Sequence, residues 1–302
     1  MPKVFLTGAT GNVGEPVVAE LLSRGLEILA LVRRPTDLDG CQTVVGELAY
    51  IRMLANEISE VDAVIHLASP RTNDRQSVIY DDIVATGYLL DAWHRGNFIY
   101  ASSQTVYGIP KQTLTESSPL DPYACWYDLG KFCNEAQLRM ARISGNRGAA
   151  VSLRLAVLFG SGGRRRDRQF LIDVYKQCLL GQVFVFDSYE GLETYGSSFI
   201  GDKDLGRAVA DSLSIKESDC FNIASGFCTW RNLIEVMNRY AGTHSGFTVR
   251  PGAKAGRGEY RLPQSISVLD TRKFEFSAGF TPRQSIDELI ERFVCAEKTS
   301  SE

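Results

Sequence analysis

"KVFLTGATGNVGEPVVAELLSRG", residues 3–25, decides how this chain is read. Lys3 to Gly8 is an apolar run with the composition of a buried strand. Gly8, Gly11 and Gly14 follow at once. "VGEPVVAELLSRG" then repeats apolar residues at helical spacing, and Gly25 is placed to end the helix. Glycines in such a loop let backbone come close to a pyrophosphate. The N-terminus of the helix behind them offers free N–H groups and the positive end of a dipole. A glycine triplet alone is a weak signal. Set between a strand and a helix, with a second strand following, it is a strong one. Thr7, Thr10, Asn12 and Val13 complete the loop that would hold a dinucleotide.

Outward from this unit the same alternation continues. Further apolar strands are expected at Glu27 to Arg33, "QTVVGEL", Val61 to Ser69, Asn97 to Ser103 and Ala149 to Gly160. Helical stretches such as Val84 to Arg95 and Tyr127 to Ile143 lie between them. Continuously apolar strands alternating with helices imply a parallel sheet covered on both faces. The fold class is therefore α/β, a doubly wound parallel sheet with a smaller C-terminal substrate lobe. Residues 1–160 are assigned to cofactor binding and 161–302 mainly to the substrate lobe. "GSGGRRRDRQ" after the sixth strand marks the change in character. Part of 199–225 is expected to pack back on the sheet. The polar tail "AEKTSSE" is expected to fray.

Composition narrows the function. The chain has 302 residues, 44% hydrophobic and 23% charged, enough for a substantial core and unlike a disordered chain. Its formal net charge of -3 disfavours nucleic acid as a partner. Seven dispersed cysteines without a CxxC pair, and three histidines, offer neither a disulfide framework nor a metal site. No apolar run approaches the length of a membrane span, and the N-terminus enters a strand directly. A cytoplasmic protein with a small-molecule substrate, without membrane partners, is the expectation.

The end of the second strand selects the cofactor. An acid there would bond the ribose hydroxyls of NAD. This chain has Arg33 and Arg34, nineteen and twenty residues past Gly14. Arginine can pair with a 2′-phosphate and stack on adenine, so NADP(H) is favoured over NAD(H). Glu47 is a candidate acceptor for the adenine amino group, with Leu48 beside it. Leu67, Ala68 and Ser69 end the fourth strand, where backbone should pass the cofactor, and Ser102 borders it from the fifth. His66 reads as core.

The glycine spacing, "DAVIHLA", "SSQTVYG" and "YDLGK" together resemble the extended short-chain dehydrogenase/reductase family, in its NAD(P)-dependent epimerase/dehydratase branch. The likeness is dense through Gly160 and thinner beyond, resting on "SSFIGDKDLGRAV" and "FNIASG". It implies a Rossmann domain, a small substrate lobe and often a homodimer joined through a helix bundle. It also implies that Tyr127 is the catalytic acid/base, that Lys131 supports it and binds the nicotinamide ribose, and that Ser103 holds the substrate oxygen. The chemistry needs these types. A phenol titrates near 10, too high for a base at neutral pH, and an ammonium one helical turn away favours its anion.

Departures from the family pattern narrow the reaction. Gln104-Thr105 stands where dehydratases carry Asp-Glu, and decarboxylases want an acid at the position of Thr105. Both classes are disfavoured, leaving ketoreductases and 4-epimerases; the rival from another class is a non-catalytic cofactor-sensing regulator, which the Tyr127–Lys131 pair counts against. Val157 and Ser197-Ser198 replace an asparagine and an arginine that hold a substrate diphosphate. Arg164, Arg165, Arg166 and Arg168 are a candidate substitute. Asp82 replaces an asparagine. Thr105 and Tyr107 are pocket candidates, and Arg154 and Asp204 are expected to hold structure.

Overall fold

The computed structural model describes residues 1–70, 72–143, 147–160, 169–252 and 255–299. In chain order the strands are β1 (Lys3–Thr7), β2 (Glu27–Val32), β3 (Gln42–Val45), β4 (Ala63–His66), β5 (Phe98–Ser103), β6 (Lys111–Leu114), β7 (Ala150–Leu155), β8 (Val157–Phe159), β9 (Val183–Phe186), β10 (Gly196–Gly201), β11 (Asp219–Ile223), β12 (Gly226–Thr229), β13 (Phe247–Val249), β14 (Glu259–Tyr260) and β15 (Ile266–Leu269). The helices are α1 (Gly14–Ser23), α2 (Ala55–Ser59), α3 (Arg75–Val78), α4 (Ala85–Ala92), α5 (Trp126–Ile143), α6 (Gln169–Leu179), α7 (Tyr189–Thr194), α8 (Asp202–Ser212), α9 (Trp230–Ala241), α10 (Arg272–Ala278) and α11 (Ile286–Thr299).

Seven strands form one sheet in the order β11-β7-β5-β4-β1-β2-β3, every pair parallel. Burial of the inner strands β1, β2, β4, β5 and β7 explains their apolar runs: both faces are covered, by side chains such as Leu6, Ile65 and Leu153 on one side and Phe5, Val64 and Tyr100 on the other. The strand order reverses between β1 and β4. Connections leave the sheet to opposite sides there, which opens a crevice at the strands' C-terminal ends. A second sheet, β12-β10-β15-β6 with β8 also on β10, and a third, β13-β9-β14, build the smaller lobe around Phe159, Phe199, Trp230 and Phe293.

Several elements differ from the sequence expectation. Ala149 to Gly160 is not one strand. The chain leaves the large sheet after Leu155, and β8 pairs with β10 instead, register Phe199 on Val157. An apolar run shows that a strand is buried but not which sheet buries it. The helix expected from Val84 begins earlier, at Arg75, and passes through a π-helical turn over Ile79–Val84. β11 joins the large sheet beside β7, and α8 lies on α1. There Gly206 allows close approach, because a Cβ would come within 2.5 Å of the Pro16 carbonyl.

Candidate active site

The glycine loop is shaped by two tight approaches. Gly8 has φ +80, and a Cβ on it would stand 2.7 Å from the Ala68 nitrogen, so β1 and β4 can end side by side only with glycine there. Gly14 is buried, and a Cβ would fall 2.0 Å from the Gly8 carbonyl oxygen. The first turn of α1 thus folds onto the loop. Gly25, at φ +74, ends α1, with the Leu26 N–H reaching back to the Leu21 carbonyl.

A cleft of about 590 Å3 opens above these strand ends. Thr7, Gly8, Thr10, Gly11, Asn12 and Val13 line it from the loop. Arg33, Glu47 and Leu48 line one end, and Leu67, Ala68, Ser69 and Ser102 the middle. Ser103, Tyr127 and Lys131 come to the same cleft from β5 and α5. Gly14 and Arg34 do not line it. Gly14 acts beneath the loop by close packing. Arg34 is exposed past the end of β2, where the backbone bends and its carbonyl accepts from the Thr36 hydroxyl.

Lys131 is almost fully buried, and its Nζ donates to the Ala101 carbonyl at 2.8 Å. The ammonium also lies 5.5 Å from the centroid of the Tyr127 ring and 4.8 Å from that of Tyr100. Tyr127 opens α5 one turn before Lys131, so the helix sets the pair. Ser103 ends β5. Its Oγ accepts the Thr105 N–H at 3.2 Å and the Thr105 hydroxyl at 3.0 Å.

The neighbours separate into lining and framework. Thr105 lines the cleft, whereas Tyr107 does not. The Tyr107 hydroxyl accepts from Arg154 at 2.7 Å and donates to Asn222 at 2.7 Å, and burial pushes its titration up to about 12. Arg154 pairs with Glu135 at 2.7 Å, both buried, and Ser102 Oγ donates to the same carboxylate at 2.5 Å. Asp82 is fully buried and accepts from Ser69 Oγ at 2.9 Å and Asn134 at 2.8 Å, so the acid fixes the hydroxyl of a cleft-lining serine. Asp204 accepts from Ser225, Arg207 and the Arg283 and Gln284 amides. Burial raises its carboxyl, but these bonds outweigh it and hold it below the usual carboxylate range. Gln104 is buried and donates to Ser197 at 2.9 Å, while Ser198 Oγ accepts the Leu269 N–H. Both serines are therefore used within the lobe. Arg164, Arg165, Arg166 and Arg168 lie outside the described residues.

Sequence reasoning missed Asp81 and the segment Gln169, Phe170 and Leu171, all of which line the cleft. Burial first, then the carboxylates of Glu47 and Asp74, push the Asp81 carboxyl up. The start of α6 carries no motif, and its place follows only from where β8 leads the chain.

His66 belongs to the framework. Its Nδ1 is 2.7 Å from Thr7 Oγ1 and its Nε2 3.0 Å from Thr86 Oγ1. Complete burial, helped by the Lys131 charge, lowers its pKa from 6.5 to about 3. The unfolded chain binds this proton and the folded one does not. Stability is therefore present above pH 6.5 and is expected to fall by about 1.4 kcal/mol per pH unit between pH 6.5 and about 3. Urea titrations across that window should show this slope, and His66→Asn should lose it. An equal slope in the variant would assign the acid sensitivity elsewhere.

The cradle fits a dinucleotide: two positions where no Cβ has room, α1 amides behind them, and polar groups at both ends of the cleft. Among the described residues no helix is long and apolar enough to cross a membrane. Nor does any group of three or more His, Cys, Asp or Glu residues there form a metal-binding cluster.

A family model described as "NAD dependent epimerase/dehydratase family" matches residues 4–198. The sterol-4-alpha-carboxylate 3-dehydrogenase, decarboxylating, of Dictyostelium discoideum is 30% identical over 179 residues, 53% of this chain and 55% of that protein. The UDP-glucose 4-epimerase of Drosophila melanogaster is 27% identical over 183 residues, 51% of this chain and 52% of that one. The chain thus spans about half the length of these curated relatives. The solved structure of MoeE5 in complex with UDP-glucose and NAD superposes with a TM-score of 0.79 at 20% identity, covering 99% of this chain and 100% of that one, a likeness of fold. With residues 4–198 of its 302 matched by that model, the chain belongs to the NAD-dependent epimerase/dehydratase family.

Proposed function

We propose that the protein interconverts a secondary alcohol and a ketone on a sugar, nucleotide sugar or related carbonyl compound, with Tyr127 as acid/base and NADP(H) as the preferred cofactor. The observation that carries this reading is the convergence of Ser103, Tyr127 and Lys131 on the cleft that the glycine loop lines. When bound, the nicotinamide supplies the hydride chemistry. Tyr127 passes its phenolic proton to the substrate oxygen in reduction and takes one back in oxidation. Ser103 donates a hydrogen bond to that oxygen. Lys131 keeps a positive charge beneath the Tyr127 ring, the sign that stabilises an aryloxide.

The neutral pair Gln104-Thr105 supports simple alcohol–ketone exchange over elimination, because no carboxylate at these positions is available to remove a second proton. Among the described residues that line the cleft, the cations are Arg33 and Lys131, both on the cofactor side of this reading. Val157, Leu158, Phe170 and Leu171 line the remainder together with the polar Asp81, Gln104, Thr105 and Gln169. The test is a panel of benzil, cyclohexanone, UDP-glucose and UDP-galactose, followed by absorbance of the reduced cofactor and by product analysis. Oxidation of NADPH with a ketone supports the proposal. Interconversion of the two sugar nucleotides without net absorbance change would replace it with a 4-epimerase, the second reading, which the similarity to the Drosophila enzyme favours.

Cofactor choice has its own expected outcome. Arg33 lines the cleft and carries no ion pair among the described contacts. Arg33→Ala should raise KM for NADPH about tenfold and leave KM for NADH unchanged, as loss of one charge-assisted phosphate contact requires. Equal changes for both cofactors would remove the assignment.

A further inference from the structure

We infer that Thr105 is a positioning residue that holds the Ser103 hydroxyl as an obligate donor toward the substrate oxygen. The inference rests on the reading of Ser103 and Tyr127 given above and adds a residue to it.

The argument is a count of hydrogen-bonding capacity at one atom. A serine hydroxyl has one proton and two lone pairs. Ser103 Oγ accepts the Thr105 backbone N–H at 3.2 Å and the Thr105 Oγ1 proton at 3.0 Å. Both lone pairs are engaged. The remaining capacity of the atom is its own O–H, and the cleft that Ser103 lines is where that proton can be given. The backbone bond is a product of the chain turning into the single 3-10 turn Gln104–Tyr107. The side-chain bond is specific to the hydroxyl of residue 105, and no apolar residue could supply it.

Direction matters because Tyr127 lines the same cleft and carries the proton that the reaction moves. A Ser103 with a free lone pair could accept the Tyr127 proton in a hydrogen bond. That arrangement would hold the phenol away from the substrate and leave the substrate oxygen without its second donor. With both lone pairs filled, Ser103 and Tyr127 both donate to the substrate oxygen as charge gathers on it. In the oxidation direction the same orientation holds: the alcohol oxygen accepts from Ser103 and gives its proton to Tyr127. The framework separates this role from that of the adjacent residue. Gln104 turns its amide into the lobe toward Ser197 and Ser267 and so fixes the loop, while Thr105 is exposed to the cleft.

Thr105→Val keeps the shape and the backbone N–H but frees one Ser103 lone pair. With whichever compound of the panel above is turned over fastest, kcat is expected to fall about tenfold. KM for NADPH should not change. Thr105→Ser restores the hydroxyl and should recover kcat to within about twofold. Full kcat in Thr105→Val overturns the inference, and so does a loss in Thr105→Ser equal to that in Thr105→Val, which would assign the effect to the methyl group. Ser103→Ala distinguishes the levels. A loss there with an unaffected Thr105→Val defeats only the inference, whereas full activity in Ser103→Ala defeats the underlying reading as well. Neutron diffraction on the protein without substrate is independent of turnover. A deuteron on Ser103 Oγ pointing into the cleft supports the assignment, and one pointing at Thr105 Oγ1 overturns it.

Discussion

Tyr127→Phe is expected to lower kcat about a thousandfold while leaving the affinity for NADPH within about twofold. The substitution removes only the phenolic oxygen. The ring that remains still lies 5.5 Å from the Lys131 ammonium, and α5 keeps its place because Lys131 is tied to the Ala101 carbonyl rather than to Tyr127. The glycine loop, the end of β4 and Lys131, which the proposal assigns to cofactor binding, are untouched. A general acid that has lost its proton donor can be replaced only by water, and the loss should therefore fall on kcat. Fluorescence titration of NADPH and steady-state kinetics on the same preparation measure both quantities. Undiminished kcat would remove Tyr127 from the mechanism.

Arg154→Met should cost about 4 kcal/mol of folding stability, the range for stripping one partner from a buried ion pair. Arg154 is 1% exposed, and it is the cation that neutralises Glu135. Once it is gone, the carboxylate retains the Ser102 hydroxyl but no charge partner at that contact, and the Tyr107 hydroxyl loses its donor as well. Coulombic attraction in a dry site is large, yet burying both ions already cancels much of it. The penalty arises from the orphaned charge rather than from the lost attraction. Thermal melts should show a fall of roughly 6 °C. The double variant Arg154→Met with Glu135→Leu should recover much of it, because no charge is then left buried. A double variant as unstable as the single one would locate the cost in packing instead.

Ser102 and Ser103 are consecutive on β5, but their side chains face opposite duties. Both line the cleft, but Ser102 gives its hydroxyl to the Glu135 carboxylate paired with Arg154, whereas Ser103 takes its bonds from Thr105. Strand alternation makes this division automatic. "SSQTVYG" is thus one continuous stretch that anchors itself to the core through Ser102, Gln104 and Tyr107 and presents Ser103 and Thr105.

Much of this was legible in the chain itself. The strand–glycine–helix unit at residues 3–25 required only local rules: burial of an apolar run, helical spacing and glycines between them. Tyr127 and Lys131 were legible as a pair because one helical turn joins them. Arg33 could not be told from Arg34 in the sequence. They differ by one position at the end of β2, and only the bend after that strand decides which of them lines the cleft.

By itself, then, the sequence determined what adjacent residues decide among themselves: the parallel α/β class, the dinucleotide loop, and the residue types able to move a proton. Tertiary structure alone decided which partners those residues meet. It split the sixth apolar run between two sheets, gave Gln104 to serines some ninety and one hundred and sixty positions away, and brought Asp81 and Phe170 to the cleft. The physical reason is range. Backbone propensity and side-chain spacing act over a few residues, whereas a hydrogen bond or a cleft wall is filled by whatever the fold carries to that point.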